Sequence, residues 1–317
     1  MKENFRNLLE LNDYFKEEKT CHEFLAKQIW DEGKPVCPFC GSTKVYTTKS
    51  RSTKPSKKDI PEYRCADKAC TKKFSVTKGT IFESTKVPLR TWYAAIYLIT
   101  THKKGISSLQ LATDLEVTQK TAWFLLHRVR AMYKESAPEL LRDVVQLDET
   151  LVGGKNKNRH ADKKVPHSQG RSSADKTPVF GARGLCGHVK TQVIPNVESN
   201  TIIPIVEKWV EKGSIMVTDE WRSYKPLSEN YFHVVVNHNE GQYANGAFSN
   251  NGIENFWSLF KRGIIGIYHS VSPKHLHRYS TEFAYRYNTR KAATDERFRN
   301  TIKNANTARL KYDQLTK

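Results

Sequence analysis

The chain has 317 residues, 38% of them apolar, with 14 Phe and 14 Tyr; that is enough for two or three domains with real cores and excludes wholesale disorder. It has no apolar stretch near the roughly 20 residues that cross a bilayer. Met1 to Tyr14 is polar and charged rather than a secretory signal, so we expect a cytoplasmic, nucleoid-associated protein whose six Cys are thiols or metal ligands, not a disulfide framework.

Formal net charge is +19, and it is concentrated. Residues 44–78 hold 11 Lys/Arg against 3 acids, residues 155–176 hold 7 against 2, and residues 261–291 hold 7 against 1. Three basic segments fit a phosphate backbone better than a uniformly solubilising surface, which points to double-stranded DNA as partner.

Residues 1–34 read as a helical segment. The stretch 35–84 then carries Cys37 and Cys40 as C-x2-C and Cys65 and Cys70 as C-x4-C, with 24 residues between the pairs. Two short-spaced thiol pairs suit one tetrahedral, structural Zn2+, each supplying two thiolates. The aromatic and β-branched residues around them (Val45, Tyr46, Tyr63, Phe74, Val76) predict the short strands of a zinc ribbon. Cys21 and Cys186 have no close partner and read as ordinary small residues.

Residues 85–140 predict three helices. Trp92 to Thr101 is apolar on one face. Ser107 or Ser108 caps a second helix carrying Leu109, Leu111, Ala112 and Leu115, and Thr118 caps a third with Ala122, Trp123, Leu126 and Val129. This is a helix-turn-helix pattern, with Glu116 where a left-handed turn residue belongs. Gln119, Lys120 and Thr121 would open the recognition helix, with Arg128 further along it as a DNA contact.

From residue 141 the texture changes to short apolar runs, an α/β order matching the RNase H-like fold: a mixed sheet with flanking helices over 141–271, interrupted by the basic insertion 155–176. Asp148 is expected to end the first strand and Asp219 the fourth, side by side. Glu254 follows on a helix 35 positions after Asp219. Three hard oxygen donors in one pocket suit two Mg2+ (or Mn2+) ions, which support in-line phosphoryl displacement. Asn251, one turn before Glu254, is the alternative third ligand. Glu149 and Glu220 should point to the opposite side of their strands, and His238 and His269 read as structural imidazoles. Lys261 shares the Glu254 helix face, with Arg262 beside it, and Lys155, Lys157 and Arg159 follow the Gly153–Gly154 step; all five are candidate DNA contacts. Residues 272–317 read as a helical extension.

These residues resemble the Merlin-like group of insertion-sequence DDE transposases. The resemblance rests on "CPFC", "LATDLEVTQKTAWFLLHRVR", "LDETLVGGKNKNRH", "VTDEW" and above all "IENFWSLFKRGIIGIYHSVSPKHLHRYSTEFAYRYN". It implies catalytic Asp148, Asp219 and Glu254, with Lys261 as an accompanying basic residue. It implies further that terminal inverted repeats are bound, element ends cleaved and a 3′-hydroxyl joined to target DNA, by a homodimer or larger assembly on DNA. A domesticated transcription regulator and an RNase H-like structure-selective nuclease are the rival readings.

Overall fold

The computed structural model describes residues 4–50, 59–133, 140–154, 160–166, 176–237, 242, 244–306 and 310–316. Packing divides the chain into two units: Met1–Lys134 with Ala292–Lys317, and Glu135–Lys291.

The first unit begins with α1 (Leu8–Tyr14) and α2 (Glu18–Ile29). A three-stranded antiparallel sheet follows, of β1 (Val45–Lys49), β2 (Pro61–Cys65) and β3 (Lys73–Phe74). Then come α3 (Leu89–Thr101), α4 (Ser108–Leu115) and α5 (Gln119–Met132). The expectation of one apolar face on α3 gives way to a helix buried almost all round, since α1, α2 and α5 all pack on it. Ser107 Oγ caps α4 by accepting from Gln110 N–H, and Thr118 Oγ1 caps α5 by accepting from Thr121 N–H at 3.2 Å. Between them Glu116 stands at φ 51°, ψ 43°, the left-handed conformation its position in the sequence demanded.

In the second unit β4 (Val144–Val152), β5 (Thr177–Gly184) and β6 (Val189–Val193) form an antiparallel meander. The helix α6 (Ser199–Trp209) leads to β7 (Ile215–Thr218) and β8 (Phe232–Val235), and the sheet order is β6-β5-β4-β7-β8 with β7 and β8 parallel to β4. The link between β7 and β8 is a 3₁₀ segment, Arg222–Glu229, containing Pro226. α7 (Asn251–Gly263) and α8 (Pro273–Asn288) then cover one face of the sheet. The other face, with Val145, Leu147 and Phe180, packs against α6 and Tyr224.

The chain is divided differently at its end from the helical extension 272–317 expected from sequence. α8 belongs with the sheet, where Leu276 and Phe283 join the core. α9 (Thr294–Lys303) and α10 (Asp313–Thr316) return to the first unit. The reason is one ring: Phe298, fully buried, meets Phe5, Phe15, Phe24 and Tyr93 at centroid distances of 5.7–6.5 Å. Among the described residues, no helix is long and apolar enough to cross a membrane.

Candidate functional site

The four thiols come together. Cys37 Sγ lies 3.7 Å from Cys70 Sγ and Cys40 Sγ 3.6 Å from Cys65 Sγ, and all four fall within 4.8 Å of one another. Zn–S bonds of about 2.3 Å in a tetrahedron set neighbouring sulfurs about 3.8 Å apart, so this cage has the size of a zinc site built from four thiolates. The hairpin β1–β2 brings the pairs together by setting Val45 opposite Cys65. Cys21 is fully buried and its thiol is pushed up to about 12, by burial first and then by Glu18, which suits a packing role.

The carboxylates are set by the larger sheet. The β4–β7 register pairs Gln146 with Val217, and continuing it by two residues brings Asp148 level with Asp219. Asp148 lies mid-strand rather than at a strand end, because β4 runs on to Val152. Its side chain shares the face of Gly181, its partner on β5, where α7 crosses. Glu149 shares the opposite face with Val145 and Leu147 and accepts a hydrogen bond from the buried Tyr224 hydroxyl, the orientation expected from strand alternation.

Several contacts seat α7. Gly181 has no Cβ, and one built there would lie 2.5 Å from Trp257 Cζ2. Gly252 presses equally closely on Gln146 and Arg183. Gln146 Nε2 donates to the Ser249 carbonyl at 2.6 Å, while its Oε1 accepts from Ile253 N–H at 3.0 Å and from Arg183 at 3.2 Å. Asp148 and Glu254 therefore share a cavity of about 610 Å³, which Glu149, Trp257, Ser258, Lys261 and Arg262 also line. Glu254 and Lys261, expected to share one helical face, line this wall together with Trp257 and Ser258 from the same face of α7.

Burial and then the charges of Glu149, Asp219 and Glu254 hold the Asp148 carboxyl well above its usual range. Asp219 is 9% exposed, does not line the cavity, and accepts from Trp221 N–H at 3.1 Å. Asn251 is exposed at the start of α7 and does not line the cavity either. Among the described residues only the four cysteines gather metal-binding atoms within 4.8 Å, so the three acids are spread more widely than ligands of a single ion.

Of the residues expected at DNA, Gln119 and Lys120 are exposed at the start of α5. Gln119 donates to Ser108 Oγ, Lys120 lies 4.6 Å over the Tyr312 ring, and Thr121 pairs with Thr118. Arg128 departs from the expectation. It is 4% exposed, its guanidinium over the rings of Trp92 and Phe124 at 5.3 and 5.1 Å, because it shares the buried face of α5 with Leu125, Val129 and Met132. Lys155, Lys157, Arg159 and His238 lie outside the described residues.

Sequence reasoning missed Asn250, Gln146, Arg183 and Gly181. A Gly within a strand, which marks close approach of a neighbour, was the one readable signal.

Residues 140–288 match the ISXO2-like transposase domain and residues 16–73 the transposase zinc-ribbon domain. An uncharacterized transposase-like protein of Haemophilus influenzae is 37% identical over 101 residues, covering 32% of this chain and 80% of that protein. The chain belongs to the ISXO2-like transposase family. An uncharacterized protein in transposable element ISH50 of Halobacterium salinarum is 29% identical over 259 residues, 78% of this chain and 83% of that protein. Among solved structures, the Mos1 transposase paired-end complex with left transposon end aligns at 16% identity and a TM-score of 0.18, over 44% of this chain and 57% of that one. A pre-cleavage Mos1 transpososome aligns at 12% identity and a TM-score of 0.19, over 64% of this chain and 78% of that one. Scores this low add nothing to the assignment of this transposase, which rests on the sequence matches.

Proposed function

We propose that this transposase is a DDE enzyme of the Merlin-like group that binds the terminal inverted repeats of its element, cleaves the element ends and joins the freed 3′-hydroxyl to target DNA. The observation that carries this reading is the cavity where Asp148 and Glu254 face Lys261 and Arg262, with Asp219 near enough to act on Asp148. Acids alone would repel a phosphodiester; the two cations on α7 supply the attraction, holding its oxygens against the acidic wall.

Asp148, Asp219 and Glu254 are the residues that would hold divalent ions, Mg2+ or Mn2+. Oxygens on one octahedral Mg2+ lie at most about 4.2 Å apart. A set spread more widely than that would suit two ions rather than one, and these three acids would share them. When bound, the ions activate a water or a 3′-hydroxyl and offset charge on the departing 3′-oxygen.

The reading arm is α4–α5 in an RNase H-like transposase with a helix-turn-helix, and Gln119, Lys120 and Thr121 are its base-facing residues. Lys155, Lys157 and Arg159 add phosphate contacts, and paired element ends call for at least two protomers. Asp148→Ala should abolish cleavage of supercoiled donor plasmid in Mg2+ while sparing inverted-repeat binding. A variant that still cut would overturn the assignment.

A further inference from the structure

Asn250 precedes α7 and is only 1% exposed, an unusual place for a primary amide unless each of its ends is satisfied. Turned one way, its Nδ2 donates to the Leu147 carbonyl at 3.4 Å. Turned the other, Nδ2 donates to the Val217 carbonyl at 3.0 Å and Oδ1 accepts from Asp219 N–H at 3.2 Å, which pairs both ends of the amide. Its own carbonyl accepts from Ile253 N–H at 3.1 Å and Glu254 N–H at 3.2 Å. In the orientation that pairs both ends, this one residue touches the backbone of Val217 and Asp219 through its side chain and the backbone of Glu254 through its carbonyl.

Gln146 works beside it. From β4, two positions before Asp148 and on the same face, it holds the Ser249 carbonyl and Ile253 N–H, the residues either side of the Asn250 turn. Neither side chain lines the cavity, and among the described residues neither has a hydrogen bond to an acid's carboxylate. Their bonds go to the main chain that carries the acids.

We propose that Asn250 and Gln146 are positioning residues: they clamp the start of α7 to β4 and to the end of β7 and so fix the mutual spacing of Asp148, Asp219 and Glu254. This deepens the metal-site reading and rests on it. A cation site assembled from three distant segments binds tightly only if the segments are held before the ion arrives, and residues that orient ligands typically account for 10–100-fold in metal affinity or activity.

The test uses zinc-loaded full-length chain and Mn2+ as probe, with free Mn2+ followed by its paramagnetic resonance signal. Asn250→Ala and Gln146→Leu should each weaken Mn2+ binding by about tenfold or more. The Mn2+ concentration for half-maximal DNA cleavage should rise by the same factor, and saturating Mn2+ should restore most of the rate. Inverted-repeat binding should stay within about twofold of the parent, since the clamp lies in the catalytic unit. Gln146→Leu keeps the test open if Asn250→Ala does not fold. A folded variant of either residue with parental Mn2+ affinity overturns the proposal for that residue. Asp148→Ala separates the two readings: if it binds Mn2+ as the parent does, the metal assignment itself has failed, whatever the clamp variants do.

Discussion

Gly181→Ala probes the contact on which α7 rests. The new Cβ would lie 2.5 Å from Trp257 Cζ2, 2.9 Å from Cη2 and 3.3 Å from Ile253 Cδ1. Carbon atoms settle at about 3.5–4.0 Å, so the indole must withdraw by about 1 Å. It has nowhere to swing: Trp257 is 4% exposed, Ile253 is fully buried, and Phe256 and Phe260 stand 5.0 and 6.0 Å from the indole. Overpacking of this kind costs about 1–3 kcal/mol, which for a unit of this size lowers its melting temperature by roughly 2–12 °C. Trp257 is three residues from Glu254 on the same helix, so the withdrawal carries Glu254 and Lys261 away from Asp148 and cleavage should fall with stability. Calorimetry on Gly181→Ala, Trp257→Phe and the pair completes the measurement. Phe lacks the ring atoms that collide, so the double variant should recover about 1 kcal/mol or more over additivity. A Gly181→Ala chain that melts within about 1 °C of the parent, or a strictly additive pair, refutes the packing argument.

Three further outcomes follow from the structure. Stripping zinc with a chelator should release one ion per chain by metal analysis and change the fluorescence of Trp30, whose ring meets Tyr63 at 4.8 Å beside the cysteine cage. Burial lowers the His22 imidazole from 6.5 to about 4, so between those values the unfolded chain takes a proton that the folded chain refuses. Stability present above pH 6.5 should therefore drain away as pH falls toward 4, by at most about 3 kcal/mol, and His22→Leu should flatten that slope in denaturant titrations. Glu282 is fully buried, paired to Arg286 and bonded by the Tyr268 hydroxyl. Glu282→Ala should cost about 3–5 kcal/mol in chemical denaturation by stranding the guanidinium, while replacing both partners with apolar residues should cost far less.

Much of this was legible in the chain. The cysteine spacing gave the thiol cage, because a pair with two to four residues between its members can close on one ion. Ser107, Thr118 and the residue at Glu116 gave the caps and turn of α4 and α5, since capping is decided within four residues. Alternation along β4 gave the opposite orientations of Asp148 and Glu149. These are local rules, and the sequence states them directly.

What the sequence left open depends on which segments meet. Arg128 is as good a cation on paper as Lys120, and only the helices packed behind α5 turn it inward. The departure of α9 from α8 follows from a pocket of five rings contributed by residues 5, 15, 24, 93 and 97, which no pattern near Phe298 announces. Asn250, a polar residue just before a helix, has the sequence pattern of a surface cap, and only the strands that close over it make it a buried one. Hydrogen-bonding caps and ligand spacings act over a few residues of chain, whereas burial is a property of the assembled neighbours. That difference is why chemistry could be read from the order of residues and its positioning only from the fold.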